Sequence, residues 1–492
     1  MPNNDYERLP TGSKDDADEW EGIVPGNRRS ISYEGFRTWF RQSSTILLVA
    51  AAFALLASII FTVDLVYARS HDSGRILTSY NFLPYLWPVG LPNRTDNWEN
   101  ENSKSMHALL SCMASQNCEQ NRTSIVLLST SRFSNGIAGD TSGENIWAMS
   151  VLTALREMGY TAIFAPDNYE LARTYRQYPD LVKIVILEGF RSKECFNNGR
   201  CIKTTSHPLG VPAWKLLSFH FWRGAESPLG SNWTLSPEDY ARIVPDHNGV
   251  ENVYLGYSIE RTCKRIPIMP SSERPQQAYI LAKDLKYFKS DRGFAWNNVS
   301  FVPPYPLSVM SGIRYNADTT EPDTLPHGIT DLGPLNQTQF YTQLGKSRVL
   351  IGIGHPRLSP SPYDALCMGV PFINPILGWD DNDPDNRFKW ESQHDALKWE
   401  DPPYVYNVRK DDEKGLWAAI KEALDHPIER FRAFLSSLLE GLTVASRYIL
   451  PSMTMDALKH RVAEIVERDW KGQAEELLAE RKASGKGQLF EL

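Results

Sequence analysis

The apolar positions of this chain follow two rhythms. From Gln42 to Val63 they run almost unbroken, 22 residues without a charge centred on ILLVAAAFALLASIIF. That length suffices to cross the ~30 Å hydrocarbon core of a bilayer as a helix. From Ser124 onward short apolar runs alternate with amphipathic segments. SIVLLS predicts a strand, and ENIWAMSVLTALREMGY sets Ile146, Trp147, Val151, Leu152 and Leu155 at helical spacing, with Gly159 near its end. TAIFAP, YELARTYRQY and LVKIVILEG read as strand, helix and strand. Between about 190 and 270 aromatics mix with loops (FHFWRG, YLGYSIE), and no elements are assigned. The alternation returns with AYILAK, RVLIGIG, a helix around SPYDALCMG, then VPFINP and YVYNV. Helical patterns follow at EKGLWAAIKEAL and PIERFRAFLSSLLEGL, and a long charged helix from about Met455. Strands alternating with helices imply parallel sheets covered on both faces. The expected fold class is α/β, in two halves joined near residue 270 across a cleft.

The flanks of the apolar run give it a direction. Arg28, Arg29, Arg37 and Arg41 precede it, and Arg69 and Arg75 follow more sparsely, which places the N-terminus in the cytosol. A polar tail of about forty residues comes first, unlike a cleaved signal peptide. The chain therefore reads as a single-pass type II membrane protein: cytosolic tail 1–41, transmembrane helix 42–63, and a stem over 64–122, where the α/β rhythm is missing. The six cysteines all follow the span, with close pairs at Cys112/Cys118 and Cys195/Cys201, plus Cys263 and Cys367. Local disulfides suit an oxidising lumen, and sequence leaves their connectivity open. Sequons at Asn93, Asn121, Asn232, Asn298 and Asn336 also all follow the span.

Composition narrows the class further. At 492 residues, with 42% hydrophobic and 11% aromatic positions, the chain has material for about three domains and large cores. A net charge of −7 and a pI near 5.9 provide no basic stripe for nucleic acid.

The chemistry concentrates in GIGHPRLSPSPYDALCMGVPFINP, Gly352 to Pro375. A strand end leads into a Pro-rich loop, and Pro362 is suited to open the helix that follows. Asp364 then falls in the first turn, near free N–H groups and the positive end of the helix dipole. Two readings stand on position alone: a helix-favouring first-turn acid, or a carboxylate accepting from ribose hydroxyls beside a bound diphosphate. The acidic turn WDDNDPD, Asp380 to Asp385, offers oxygen ligands for a metal in principle, and is read as a solvated loop.

The same stretch resembles the donor-binding segment of the N-acetylglucosaminyltransferase V family, glycosyltransferase family 18. The family pattern is a strand, G-x-G-x-P, P-x-P-x-E-A, G, then F-x-N-P. Here Gly352, Gly354, Pro356, Pro360, Pro362, Asp364, Ala365, Gly369, Phe372, Asn374 and Pro375 follow in that order. Ser392-Gln393-His394, HGITDLGPLNQTQFYTQLGKS, NWTLSPEDYARIVP and YLGYSIE are also similar, so the likeness covers most of residues 124 to 410. It implies a GT-B architecture of two Rossmann-like domains: an acceptor domain over 123–270, a nucleotide-sugar domain over 271–455, and a C-terminal helix and tail over 456–492.

The resemblance also assigns roles. Gly143-Glu144 matches the pair that carries the family's catalytic base. An inverting transfer needs one carboxylate to take the acceptor hydroxyl's proton. By position alone Glu144 reads as a helix N-terminal acid favoured by the dipole, and the resemblance is what favours the base. Donor-binding residues implied are Gly354, Pro362, Asp364, Lys283, Ser392, Gln393 and His394, with no metal and no cofactor beyond the donor UDP-GlcNAc. The partners implied are an N-glycan acceptor on glycoproteins and a membrane met through one helix, in the Golgi with the catalytic body lumenal. The reaction implied is β-1,6 transfer of N-acetylglucosamine to a mannose. Two departures bear on the donor. Leu358 stands where the family has a second Glu, and Asp364 stands for its Glu. A transferase of the same fold using another sugar nucleotide or acceptor, and a non-catalytic glycan-binding protein, remain alternatives.

Overall fold

The computed structural model describes residues 97–140, 142–243, 251–315, 325–428 and 447–492. The expected cytosolic tail and membrane span lie outside these residues, as do the first part of the stem and most of PIERFRAFLSSLLEGL. Among the described residues no helix is long and apolar enough to cross a membrane.

The first lobe begins inside the expected stem. Helix α1 (Trp98–Ser115) starts at Asn97, whose side chain accepts from Asn100 N, and buries Met106 and Leu109. Its few buried positions among polar ones explain why the pattern was hard to read. Strand β1 (Ile125–Ser129) is buried at all five positions, and helix α2 (Ser131–Ile137) follows. Then come α3 (Gly143–Glu157), β2 (Thr161–Phe164), α4 (Asn168–Gln177) and β3 (Val182–Glu188), matching the predicted alternation, and α5 (Gly189–Phe196), which the sequence left unassigned. Gly159, at φ +84°, ends the α3 turn where a Cβ would lie 2.6 Å from Gln120 O. Strands β4 (Leu216–Phe219), β5 (Thr234–Ser236) and β6 (Val253–Tyr254) fill the stretch that sequence left unassigned. They are two to four residues long, too short to show a period. The sheet order is β2-β1-β3-β4-β5-β6, all parallel. On edge strand β2, Phe164 exchanges hydrogen bonds with the Asn102 side chain of α1, at 2.7 and 2.8 Å. The free strand edge is thereby capped.

A six-residue helix, α6 (Glu260–Arg265), leads to the second lobe: β7 (Gln277–Ile280), β8 (Ser308–Ser311), β9 (Ile329–Asp331), α7 (Gln337–Lys346), β10 (Val349–Ile351), α8 (Ser361–Cys367), β11 (Phe372–Gly378), β12 (Glu391–Ser392), β13 (Val405–Arg409) and α9 (Glu413–Asp425). The order is β12-β11-β10-β7-β8-β9 with β13 also paired to β11, and only β12 runs antiparallel. Alternate residues serve two cores, as period-2 side chains must. Tyr279, Leu350 and Phe372 join the core that continues into the first lobe, while Ala278, Ile280, Val349, Ile351 and Ile373 face Trp296, Phe301, Leu416 and Ile420.

The expected long C-terminal helix is two, α10 (Met455–Glu467) and α11 (Trp470–Ser484), separated where Asp469 caps the second by accepting from Gly472 N. Both return to the first lobe. Lys459 pairs with Glu157 at 2.6 Å, Tyr160 donates to Glu467 at 3.1 Å, Trp470 lies 5.6 Å from Trp233, and Arg461 sits 4.4 Å over the Tyr254 ring.

Three disulfides form: Cys112–Cys118, Cys195–Cys201 and Cys263–Cys367. The first two are the close pairs seen in the sequence. The third joins α6 of the first lobe to the end of α8 in the second, across 104 residues. Cross-linking so long a loop restricts the unfolded chain. Replacing both Cys263 and Cys367 by Ser is therefore expected to cost roughly 2–5 kcal/mol of stability. Thermal melts of a fragment starting at about residue 75 check this; an unchanged Tm would refute it.

Candidate active site

In parallel sheets the carboxyl ends of the strands, where the connections diverge, form ligand crevices. β1 is such a point in the first sheet, lying between β2 and β3, and β7 is its counterpart in the second, lying between β10 and β8. The loops leaving these strands meet around a cavity of about 430 Å³. Ser142, Gly143 and Ile146 line it from the first lobe. Lys283 and Arg314 line it from the loops after β7 and β8, Gln337 and Tyr341 from α7, and Pro356, Ser359, Pro360, Ser361 and Asp364 from the loop after β10 and the start of α8. Contact between the lobes is close, because a Cβ on Gly143 would lie 3.4 Å from Pro360 Cδ.

Asp364 is the buried acid of this cavity, 4% exposed. Burial drives its carboxyl up from 3.8 to about 7, against the opposing effect of the Tyr341 hydroxyl, which donates to Oδ2 at 3.3 Å. Burial and the neighbouring Asp364 charge raise Tyr341 in turn, so its hydroxyl stays a donor. Gln337, one turn earlier on α7, reaches the same hydroxyl at 3.5 Å.

Glu144 occupies the first turn of α3 beside the lining residue Gly143, with an exposed side chain ion-paired to Arg132 at the start of α2. Across the cavity, Lys283 and Arg314 extend neighbouring strands, and Arg314 N donates to Lys283 O at 2.9 Å. Arg314 also lies 3.6 Å from Asp284. Sequence reasoning missed Arg314 and Tyr341. Arg314 follows the strand SVMS as Lys283 follows AYIL, and Tyr341 stands four residues after Gln337 on one helix face.

Other expected donor residues work behind the loop. Gln393 is 1% exposed; its Oε1 accepts from Gly354 N at 2.9 Å, and its Nε2 donates to Pro356 O at 3.1 Å. Ser392 is buried with its hydroxyl on Asp395 at 3.0 Å, and His394 is fully buried against the Tyr363 ring, its imidazole pushed down to about 3 by burial. Gly354, at φ +101°, packs where a Cβ would come within 2.1 Å of Gly293 O. None of these four residues is among those that line the cavity.

Two loop details also differ from expectation. Pro362 is the second helical residue, not the first, and it is buried. The first-turn N–H groups are already used: Tyr363 and Asp364 bond back to Pro360 O at 3.0 and 3.2 Å, Ser361 to Ser359 Oγ at 3.4 Å, and Pro362 has none. The helix start thus offers no free N–H to a diphosphate, and among the described residues the cations lining the cavity are Lys283 and Arg314. Leu358 takes a left-handed φ of 53°, donates its N–H to Gln393 O at 3.2 Å, and is absent from the cavity lining. The acidic turn is spent on its own fold, with Asp385 on Arg409 at 3.1 Å and Asp383 on Asn386 at 2.9 Å.

A family model, "Glycosyltransferase family 18", matches residues 175–443, more than half of the sequence. The chain belongs to glycosyltransferase family 18. Its similarity to individual members is low. The Homo sapiens alpha-1,6-mannosylglycoprotein 6-beta-N-acetylglucosaminyltransferase A is 22% identical over 223 residues, covering 43% of this chain and 28% of the relative. The Mus musculus protein of the same name is 21% identical over 234 residues, covering 45% and 30%. The chain thus matches less than a third of the length of these relatives. A glycosyltransferase structure from Rickettsia africae aligns over 72% of this chain and 98% of its own at 10% identity, with a TM-score of 0.33. T4 phage beta-glucosyltransferase aligns over 73% and 99% at 10% identity, with a TM-score of 0.32.

The buried acid of this family 18 chain sets a pH dependence. Its folded-state pKa of about 7 lies above the ordinary 3.8, so the fold favours the protonated form. The stability it contributes is full below the ordinary value and is lost as pH rises through 7. Asp364→Asn, which carries no charge, is expected to raise Tm by a few degrees at pH 8 and to leave it nearly unchanged at pH 4. A lower Tm at pH 8 would show a net stabilising carboxylate.

Proposed function

We propose that this chain is an inverting glycosyltransferase of GT-B type that moves N-acetylglucosamine from UDP-GlcNAc in β-1,6 linkage to a mannose of N-linked glycans. The observation that carries the reading is the cavity between the lobes, lined at once by the start of α3, by Lys283 and Arg314, and by Asp364. Family membership and the names of the relatives support it.

The acceptor hydroxyl oxygen attacks the anomeric carbon of the donor sugar while Glu144 takes its proton. In the same displacement the bond from that carbon to the diphosphate oxygen breaks, and UDP leaves with the electron pair. One displacement inverts the anomeric centre, and no residue of the protein need be nucleophilic. Arg132 holds Glu144 in place through their ion pair, and the exposed carboxyl then passes the acceptor's proton to water. Lys283 and Arg314 offset the charge that builds on the departing diphosphate. Asp364, oriented by Tyr341, accepts from ribose hydroxyls. Gln393 and Gly354 set the shape of the donor loop rather than touching the donor. The acceptor glycan binds mainly in the first lobe. The reaction runs without a metal ion, and the protein is anchored in the Golgi membrane by the apolar 42–63 segment with its body in the lumen.

The test is transfer by the lumenal fragment from UDP-GlcNAc to a biantennary N-glycan, with and without EDTA, followed by product mass. The product is expected to gain one N-acetylhexosamine in both conditions. Glu144→Gln is expected to lose about 10²–10⁴-fold in turnover with UDP binding kept. Arg314→Ala is expected to weaken UDP binding about tenfold. No product with this donor and acceptor, while UDP still binds, would overturn the assigned transfer in favour of another sugar or acceptor.

A further inference from the structure

Three of the largest exposed aromatics lie at one edge of the first sheet. Tyr169, 71% exposed, is the second residue of α4, just past the end of β2. Phe190, 56% exposed, is the second residue of α5, just past β3. Trp222, 47% exposed, follows β4 by three residues. These strands are neighbours with β1 between β2 and β3, so all three aromatics belong to the carboxyl edge that also carries Glu144.

Side chains tie the loops of this edge into one rim. Ser131 donates to Glu188 at 3.3 Å, Asn168 donates to Arg191 O at 3.1 Å, Arg191 donates to Pro166 O, and Lys193 pairs with Glu226 at 2.6 Å. Gly189 permits the tight fit between the β3 and β4 loops, since a Cβ there would lie 2.8 Å from Glu226 Cβ. The Trp222 loop is held firmly: the Trp222 carbonyl meets His220 Nδ1 at 2.8 Å and accepts from Asn252 Nδ2 at 3.1 Å. Phe221 beneath it packs edge-on against Phe219 and Trp147, at 5.2 and 6.4 Å.

Solitary exposed apolar residues are common, but a set gathered on one rigid rim marks a binding surface. From β2 to β4 is three strand spacings, about 14 Å, a span that suits a chain of several rings better than one small molecule. The rim's charges are largely matched to each other, Lys193 with Glu226 and Arg191 with Glu188 at 3.9 Å, which favours a neutral ligand over an anionic one. An oligosaccharide fits this combination. Each pyranose has an apolar C–H face that packs on an aromatic ring, and hydroxyl edges that bond to flanking amide, hydroxyl and guanidinium groups.

We propose that Tyr169, Phe190 and Trp222 form an extended platform for a neutral acceptor oligosaccharide, leading its reactive end toward Glu144. This rests on the transfer reaction proposed above and extends it by naming residues that hold the acceptor away from the reacting atoms. The platform sets acceptor affinity and length preference, and it leaves donor binding alone.

The test is equilibrium binding of a free biantennary N-glycan, and separately of UDP, to the lumenal fragment. Wild type is compared with Tyr169→Ala, Phe190→Ala, Trp222→Ala, the triple variant, and Phe388→Ala as an equally exposed control in the second lobe. Each rim substitution is expected to weaken the glycan about 3–10-fold, the triple to abolish measurable binding, and all to leave UDP affinity and Tm unchanged. Phe388→Ala is expected to leave the glycan unaffected. An unchanged glycan affinity in the triple variant, or no glycan binding by wild type, overturns the platform. The transfer assay separates the two ideas. Transfer with an unchanged acceptor KM in the triple variant removes the platform and keeps the reaction, whereas rim-dependent glycan binding without transfer keeps the platform and removes the reaction.

Discussion

Holding the Asp364 carboxyl almost out of water is costly, and much of the second lobe is arranged around that cost. A carboxylate so buried needs a fixed donor, and Tyr341 supplies one from α7. Its own helix, seven residues long, has little stability alone. Helix α8 is held from three directions. Gln393 grips the loop before it through Gly354 and Pro356, the Cys263–Cys367 bridge fastens its end to α6, and Tyr363 packs between His394 and Tyr257. The result is a polar group kept where the fold would be more stable without its charge, a common trade at functional sites.

The same packing explains why the two lobes present a shared cavity. The apolar core does not stop at the end of the first sheet but continues into the inner face of the second. The C-terminal helices α10 and α11 cross back to cover the first sheet, so the chain passes between the lobes twice. With the lobes so tied, the carboxyl ends of β1 and β7 meet, and Gly143 comes against Pro360. Neither lobe alone lines the cavity on both sides.

Local pattern determined a good deal of this. Buried parallel strands show as apolar runs where the flanking segments are clear, which made β1, β2, β3, β7, β10, β11 and β13 readable, and α3 and α9 followed from their 3.6-residue spacing. The close cysteine pairs, Asp364 in its Pro-rich loop, Lys283 after its strand and Glu144 after a glycine were all visible as residue types in order. What escaped were elements whose identity depends on a neighbour far along the chain. Strands β4 to β6 are defined by pairing rather than by period, and α1 is held to β2 by one asparagine.

Tertiary structure alone decided which site residues face the cavity. Sequence order groups Gly354, Pro362, Asp364, Ser392, Gln393 and His394, yet of these only Asp364 lines it. Gln393 turns inward because the Gly354 amide of the loop needs a buried partner, which a one-dimensional pattern does not display. Arg314, Tyr341 and the rim aromatics are ordinary residues in the sequence. They become a site only because parallel strands bring their carboxyl ends together, and that proximity is a property of sheet order rather than of any segment.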